Sequence, residues 1–103
     1  MGRTELYVAR KNTAYRVVDG QAVVLNLADE QTKLITLTTT GSVVWEAADG
    51  RKTVSQIVDL ICRRFDVEQE VATADVLAFV EELQRHNLVE LSESPAGRLG
   101  RND

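Results

Sequence analysis

The pattern of apolar and polar positions changes period along the chain. Through the first forty residues it has the period of strands, in which successive side chains point to opposite faces. Tyr15-Arg16-Val17-Val18 and Gln21-Ala22-Val23-Val24-Leu25-Asn26-Leu27 are separated by Asp19-Gly20 alone. An Asp-Gly pair between two such runs predicts a tight hairpin, because both central residues of a type I′ turn need positive φ. After a polar break over residues 28–32 comes a third run, Lys33-Leu34-Ile35-Thr36-Leu37. Ile35 and Leu37 share one of its faces, Leu34 and Thr36 the other. Three strands predict a small antiparallel meander with open edges.

Beyond Leu37 the period becomes helical. The hydroxyls of Thr38-Thr39-Thr40 offer N-caps, and Val44, Trp45 and Ala48 fall on one stripe that stops at Asp49-Gly50. Thr53-Val54-Ser55-Gln56 is a capping-box pattern, followed by Ile57, Leu60, Ile61 and Phe65 at helical spacing, so a second helix runs to about residue 64. Asp66-Val67-Glu68-Gln69 repeats the cap logic for a third helix, over about 69–86, whose stripe is Val76, Phe79, Val80 and Leu83. It ends near Asn87, a residue that tolerates the left-handed conformation. Leu88-Val89-Glu90-Leu91 alternates like a short strand or wing. The predicted class is α+β: a three-stranded antiparallel sheet followed by three helices, with a possible closing strand.

Composition narrows the function. The chain has 103 residues, one domain's worth, and its 44% apolar and 27% charged residues argue against wholesale disorder. Residues 1–91 read as that domain. Residues 92–103 hold the only proline, two glycines and little apolar weight, and read as a tail. The net charge of −4 argues against a general nucleic-acid binder, which needs a basic face. One cysteine and one histidine cannot build a zinc site or an internal disulfide, so neither metal nor cofactor is expected. No apolar run reaches the roughly 18 residues of a membrane helix, and the first residues lack a signal-peptide core. The expectation is a cytoplasmic domain with no membrane partner. No nucleophile with its base, carboxylate pair or phosphate loop stands out, so no catalytic residue is expected.

The charge is uneven. Residues 51–65 carry four basic groups and one acidic, whereas residues 66–91 carry seven acidic groups and only Arg85 in opposition. Arg51, Lys52, Arg63 and Arg64 could dock an acidic partner, although a solvated helical face is the plainer reading. Glu81-Glu82 could meet a basic peptide, against the same plain reading. Trp45 on a buried stripe reads as core, and Cys62, without a partner, as a half-buried inert thiol. His86 sits where a helix dipole favours it in any case.

The order and spacing of these features resemble the PqqD-like family, the winged-helix peptide-binding modules also called RiPP recognition elements. The resemblance runs from about residue 15 to residue 91. It rests on Asp19-Gly20, Leu37, Thr40-Gly41, Trp45, Asp49-Gly50, Thr53-Val54, Ile57, Phe65-Asp66-Val67, Asp75-Val76, Phe79-Val80, Leu83 and Asn87-Leu88-Val89. Asn87 departs from the pattern, standing where family members usually carry Gly.

The resemblance implies a non-enzymatic adaptor in the biosynthesis of a peptide natural product or a cofactor. Such a domain binds the leader segment of a ribosomally made precursor peptide and presents it to a modifying enzyme, often a radical SAM protein. The leader adds as a strand to the third strand, here Lys33, Leu34, Ile35, Thr36 and Leu37, and lies against the third helix. On that helix Asp75, Glu82 and His86 flank the core stripe on one side and Leu77, Glu81 and Gln84 on the other. Phe79 borders the first flank, so Asp75, Phe79, Glu82 and His86 complete the expected site. An edge strand also makes a monomer or weak dimer the expected state. The alternative reading is a winged-helix DNA-binding regulator, which shares the fold; phosphate repulsion of the acidic third helix counts against it.

Overall fold

A computed structural model describes residues 2–28 and 33–95. A 3-10 turn, Arg3–Glu5, leads into strand β1 (Tyr7–Arg10), the hairpin β2 (Thr13–Val18) and β3 (Gln21–Asn26), and then β4 (Leu34–Thr36). Helix α1 (Thr39–Ala47), strand β5 (Asp49–Thr53), helices α2 (Val54–Phe65) and α3 (Gln69–Arg85), and strand β6 (Val89–Ser92) follow. The α+β, winged helix-turn-helix-like architecture is as expected, with β2-β3-β4 as an antiparallel meander. The hairpin turn forms for the expected reason: Asp19 has φ +53° and Gly20 φ +80°, both in the left-handed region.

The helices do not follow the meander uninterrupted. Two strands that the periodicity does not announce, β1 and β5, join β6 in a second antiparallel sheet of order β5-β1-β6. Asp49-Gly50-Arg51-Lys52-Thr53 has the composition of a turn. It is held extended by pairing with β1, where Tyr7 faces Thr53 and Ala9 faces Asp49 across an irregular register, and Gly50 takes φ +85° within it. Tertiary pairing outweighs local propensity here. Arg51 and Lys52 therefore lie on a strand and not on the helical face expected for them.

Both arms of the Thr53 capping box form: Gln56 N–H donates to Thr53 Oγ1 at 3.2 Å, and Thr53 N–H to Gln56 Oε1 at 2.9 Å. The second predicted cap does not form. Asp66 instead ends α2 in the left-handed conformation, its N–H on Cys62 O, and Glu68 precedes α3 without a side-chain cap. At the far end Asn87 takes φ +62°, and Leu88 N–H reaches back to Leu83 O at 2.9 Å. The tail beyond Pro95 lies outside the described residues. Ser92, placed in that tail by sequence, is the last residue of β6.

One core joins the layers. Trp45 is fully buried, among Val8, Val24, Ile57, Ile61 and Val76. Tyr15 meets it edge-on at 5.7 Å, and the Arg10 guanidinium lies over the Tyr15 ring while donating to Trp45 O at 2.7 Å. One cation thus ties β1 to the C-terminal end of α1 and to β2. A second tie sets the path out of β4. Ser42 Oγ accepts from Ala22 N–H and donates to Thr38 O, both at 2.7 Å, which fixes the start of α1 against β3.

Candidate functional site

The direction of each peptide group in β4 follows from its ladder. Val23 faces Thr36, Val24 faces Ile35 and Leu25 faces Leu34. One position on, Leu37 N–H donates to Ala22 O at 2.9 Å. Hydrogen-bonded and non-hydrogen-bonded pairs alternate along an antiparallel ladder. Ile35 therefore turns its N–H and C=O inward to β3, whereas Leu34 and Thr36 both turn theirs outward. Among the described residues no strand pairs with that outer side of β4. Among the described residues it is an open edge, with two unpaired donors and two unpaired acceptors.

Side chains alternate in the same rhythm. Leu34 and Thr36 lie with Val23 and Leu25 on the outer face, where Leu34 is 68% exposed. Ile35 lies on the inner face and packs on the core, and Leu37 is buried. Of the expected strand residues, Lys33 precedes β4 and is exposed.

Immediately past β4 the chain reaches a cleft of about 390 Å³ between the first turns of α1 and the middle of α3. Thr38, Thr40 and Val44 form one wall, Asp75, Val76 and Phe79 the other. Thr38 caps α1, its hydroxyl accepting from Gly41 N–H at 3.0 Å. The helices come close because Gly41 has no side chain: a Cβ there would stand 3.0 Å from Phe79 Cζ and 3.0 Å from Thr38 Oγ1. Gly41 and Val44, recognised in sequence only by spacing and as core, thus belong to the cleft. A glycine inside the first turn of a helix is the signal that a neighbouring side chain, here the Phe79 ring, packs directly on the helix backbone.

The cleft contains Asp75 and Phe79 but not the other two expected helix residues. Glu82 and His86 continue the flank toward the end of α3 and bond to each other, His86 Nε2 lying 3.1 Å from Glu82 Oε2. That hydrogen bond, with the neighbouring charge of Arg85, holds the Glu82 carboxyl below its ordinary range. The opposite flank is engaged elsewhere, Leu77 against the core and Glu81 in an ion pair with Arg3 at 2.7 Å.

Away from the cleft, Lys52 pairs with Asp49 at 3.2 Å. Burial opposes ionisation of Asp49, but the Arg51 N–H and the Lys52 ammonium outweigh it and lower the carboxyl's pKa. Among the described residues no three His, Cys, Asp or Glu side chains gather as metal ligands.

The family model for coenzyme PQQ synthesis protein D (PqqD) matches residues 21–89, two-thirds of the chain, from β3 into β6. The chain belongs to the PqqD family. A search of curated proteins finds no match. Among solved structures, TbiB1 in complex with the TbiA(beta) leader peptide is similar in fold to this PqqD-family chain. The TM-score is 0.70 at 23% identity, covering 92% of this chain and 98% of that one.

Proposed function

We propose that this PqqD-family chain is an adaptor that binds the leader segment of a ribosomally made precursor peptide and presents the remainder to a modifying enzyme, such as a radical SAM protein. The observation that carries the reading is the open outer edge of β4 running directly into the α1/α3 cleft. The edge supplies backbone donors and acceptors at Leu34 and Thr36 that pair with an extended peptide of almost any sequence. The cleft supplies what an edge alone cannot, a shaped apolar recess beside α3 that selects side chains. Among the described residues the outer edge of β2 is also unpaired, but the recess beside it, lined by Ala14, Tyr15, Arg16 and Val18 with Val23, Leu25 and Leu34, has no wall from α3.

The fold likeness to a leader-peptide complex supports this reading, as does the charge of α3, which opposes DNA. The chain's part is recognition, with the chemistry left to the partner enzyme in the cytoplasm. Titrating the intact chain with the leader of its precursor, by calorimetry, tests it. The expected result is saturable one-to-one binding that survives removal of the core segment. Binding that requires the core segment, or none at all, contradicts it.

A further inference from the structure

Among the described residues Asp75 carries the only carboxylate of the cleft walls, and it is exposed at them. Among the described residues it makes no ion pair and no side-chain hydrogen bond, unlike Glu81 with Arg3 and Glu82 with Arg85 and His86. The surface beside it is apolar: Val44, Val76, Ala78 and the Phe79 ring. The surrounding segment, residues 66–91, has seven acidic groups against one basic, so the local field favours a cation. An apolar recess with one free carboxylate has a chemical complement, an apolar side chain with an ammonium or guanidinium close by.

Spacing follows from strand geometry. A peptide lying along β4 points alternate side chains toward α3. Two residues that both face the helix are therefore two apart, about 6.8 Å along an extended chain. Asp75 and Phe79 stand one turn apart on α3, about 6 Å along its axis. For a peptide that runs along the α3 axis the two separations agree.

We infer that Asp75 is a specificity-determining residue of the cleft, selecting peptides that carry Lys or Arg two residues from an aliphatic or aromatic anchor. This inference rests on the peptide-binding reading above and adds the peptide's side-chain code to it. The anchor packs on the open side of the Phe79 ring within the cleft, and the cation pairs with Asp75. The contact is solvent-accessible, so it discriminates by a modest factor, about three- to fivefold.

A displayed library of random dodecapeptides, selected separately on the intact chain, on Asp75→Asn and on Asp75→Lys, tests this directly. Selection on the parent chain is expected to enrich a cation two positions from an apolar residue. Asp75→Asn should keep the anchor and lose the cation, and Asp75→Lys should replace the cation by Asp or Glu. A synthetic peptide from the parent pool should lose about three- to fivefold in affinity when its Lys becomes Gln, and that loss should vanish on Asp75→Asn. Pools with the anchor but no cation preference, or a preference unchanged by Asp75→Asn, overturn the inference and leave peptide binding standing. Failure to enrich any peptide overturns both.

Discussion

At the scale of single residues, burial decides which side chains hold the fold and which are free to recognise. Trp45 is fully buried, so Trp45→Ala should cost about 3–5 kcal/mol of unfolding free energy, read as a fall in the urea midpoint. A variant as stable as the parent contradicts the assignment. Glu82 is the opposite case. Its carboxyl is held below the ordinary value of 4.5 by His86 and Arg85, so ionisation favours the folded state. That contribution is full above the unfolded value and is lost as pH falls through the depressed folded value. Titration of the Glu82 carboxyl by NMR should give a midpoint below 4.5, and Glu82→Gln should narrow its stability deficit as the solution is acidified below that range. The sequence made Trp45 legible, because a large aromatic on a helical stripe has few other places to go. It did not reveal that Glu82 and His86 satisfy each other, since a four-residue spacing permits such a pair without requiring it.

At the scale of elements, the alternation in β4 yields a discriminating proline scan. Leu34 and Thr36 turn their N–H groups away from β3 and Ile35 turns its own toward Val24. Leu34→Pro and Thr36→Pro should keep the fold and lose peptide affinity by at least about tenfold, because they remove outward donors and obstruct pairing. Ile35→Pro should lower stability itself, by about 1–3 kcal/mol, since it strands a buried acceptor. Calorimetry and urea unfolding on the three variants separate these outcomes; equal loss of stability in all three contradicts the register. The hairpin, the three helices and the Thr53 capping box were legible because each has a strong local signature. Strands β1 and β5 were not. Asp49-Gly50-Arg51-Lys52-Thr53 carries turn-forming residues, and only its long-range partner makes it a strand. Asp66 likewise has the chemistry of an N-cap but serves α2 as a left-handed C-cap, a choice set by how the two helices join.

At the scale of the whole molecule, two sheets and three helices bring the open edge of β4 directly to the cleft between α1 and α3. The second sheet, β5-β1-β6, and the Arg10 bridge to α1 and β2 brace α1 from behind, while Ser42 locks its first turn to β3. The α1 wall is therefore held before any peptide arrives, and the α3 wall is anchored in the core by Val76, Val80 and Leu83, which lowers the cost of ordering on binding. The period of the pattern located the strand and the third helix, and the resemblance to the family named them as the expected site. The cleft itself depends on the approach of Gly41 to Phe79, thirty-eight residues apart, a contact no local pattern contains. Amide hydrogen exchange on the intact chain, with and without saturating leader peptide, tests the central claim most directly. Strand addition predicts that the amides of Leu34 and Thr36, which turn away from β3, gain protection together, while Ile35 and Leu37, already bonded to β3, change little. Unchanged exchange at Leu34 and Thr36, with protection appearing instead around Arg51, Lys52, Arg63 and Arg64, contradicts it.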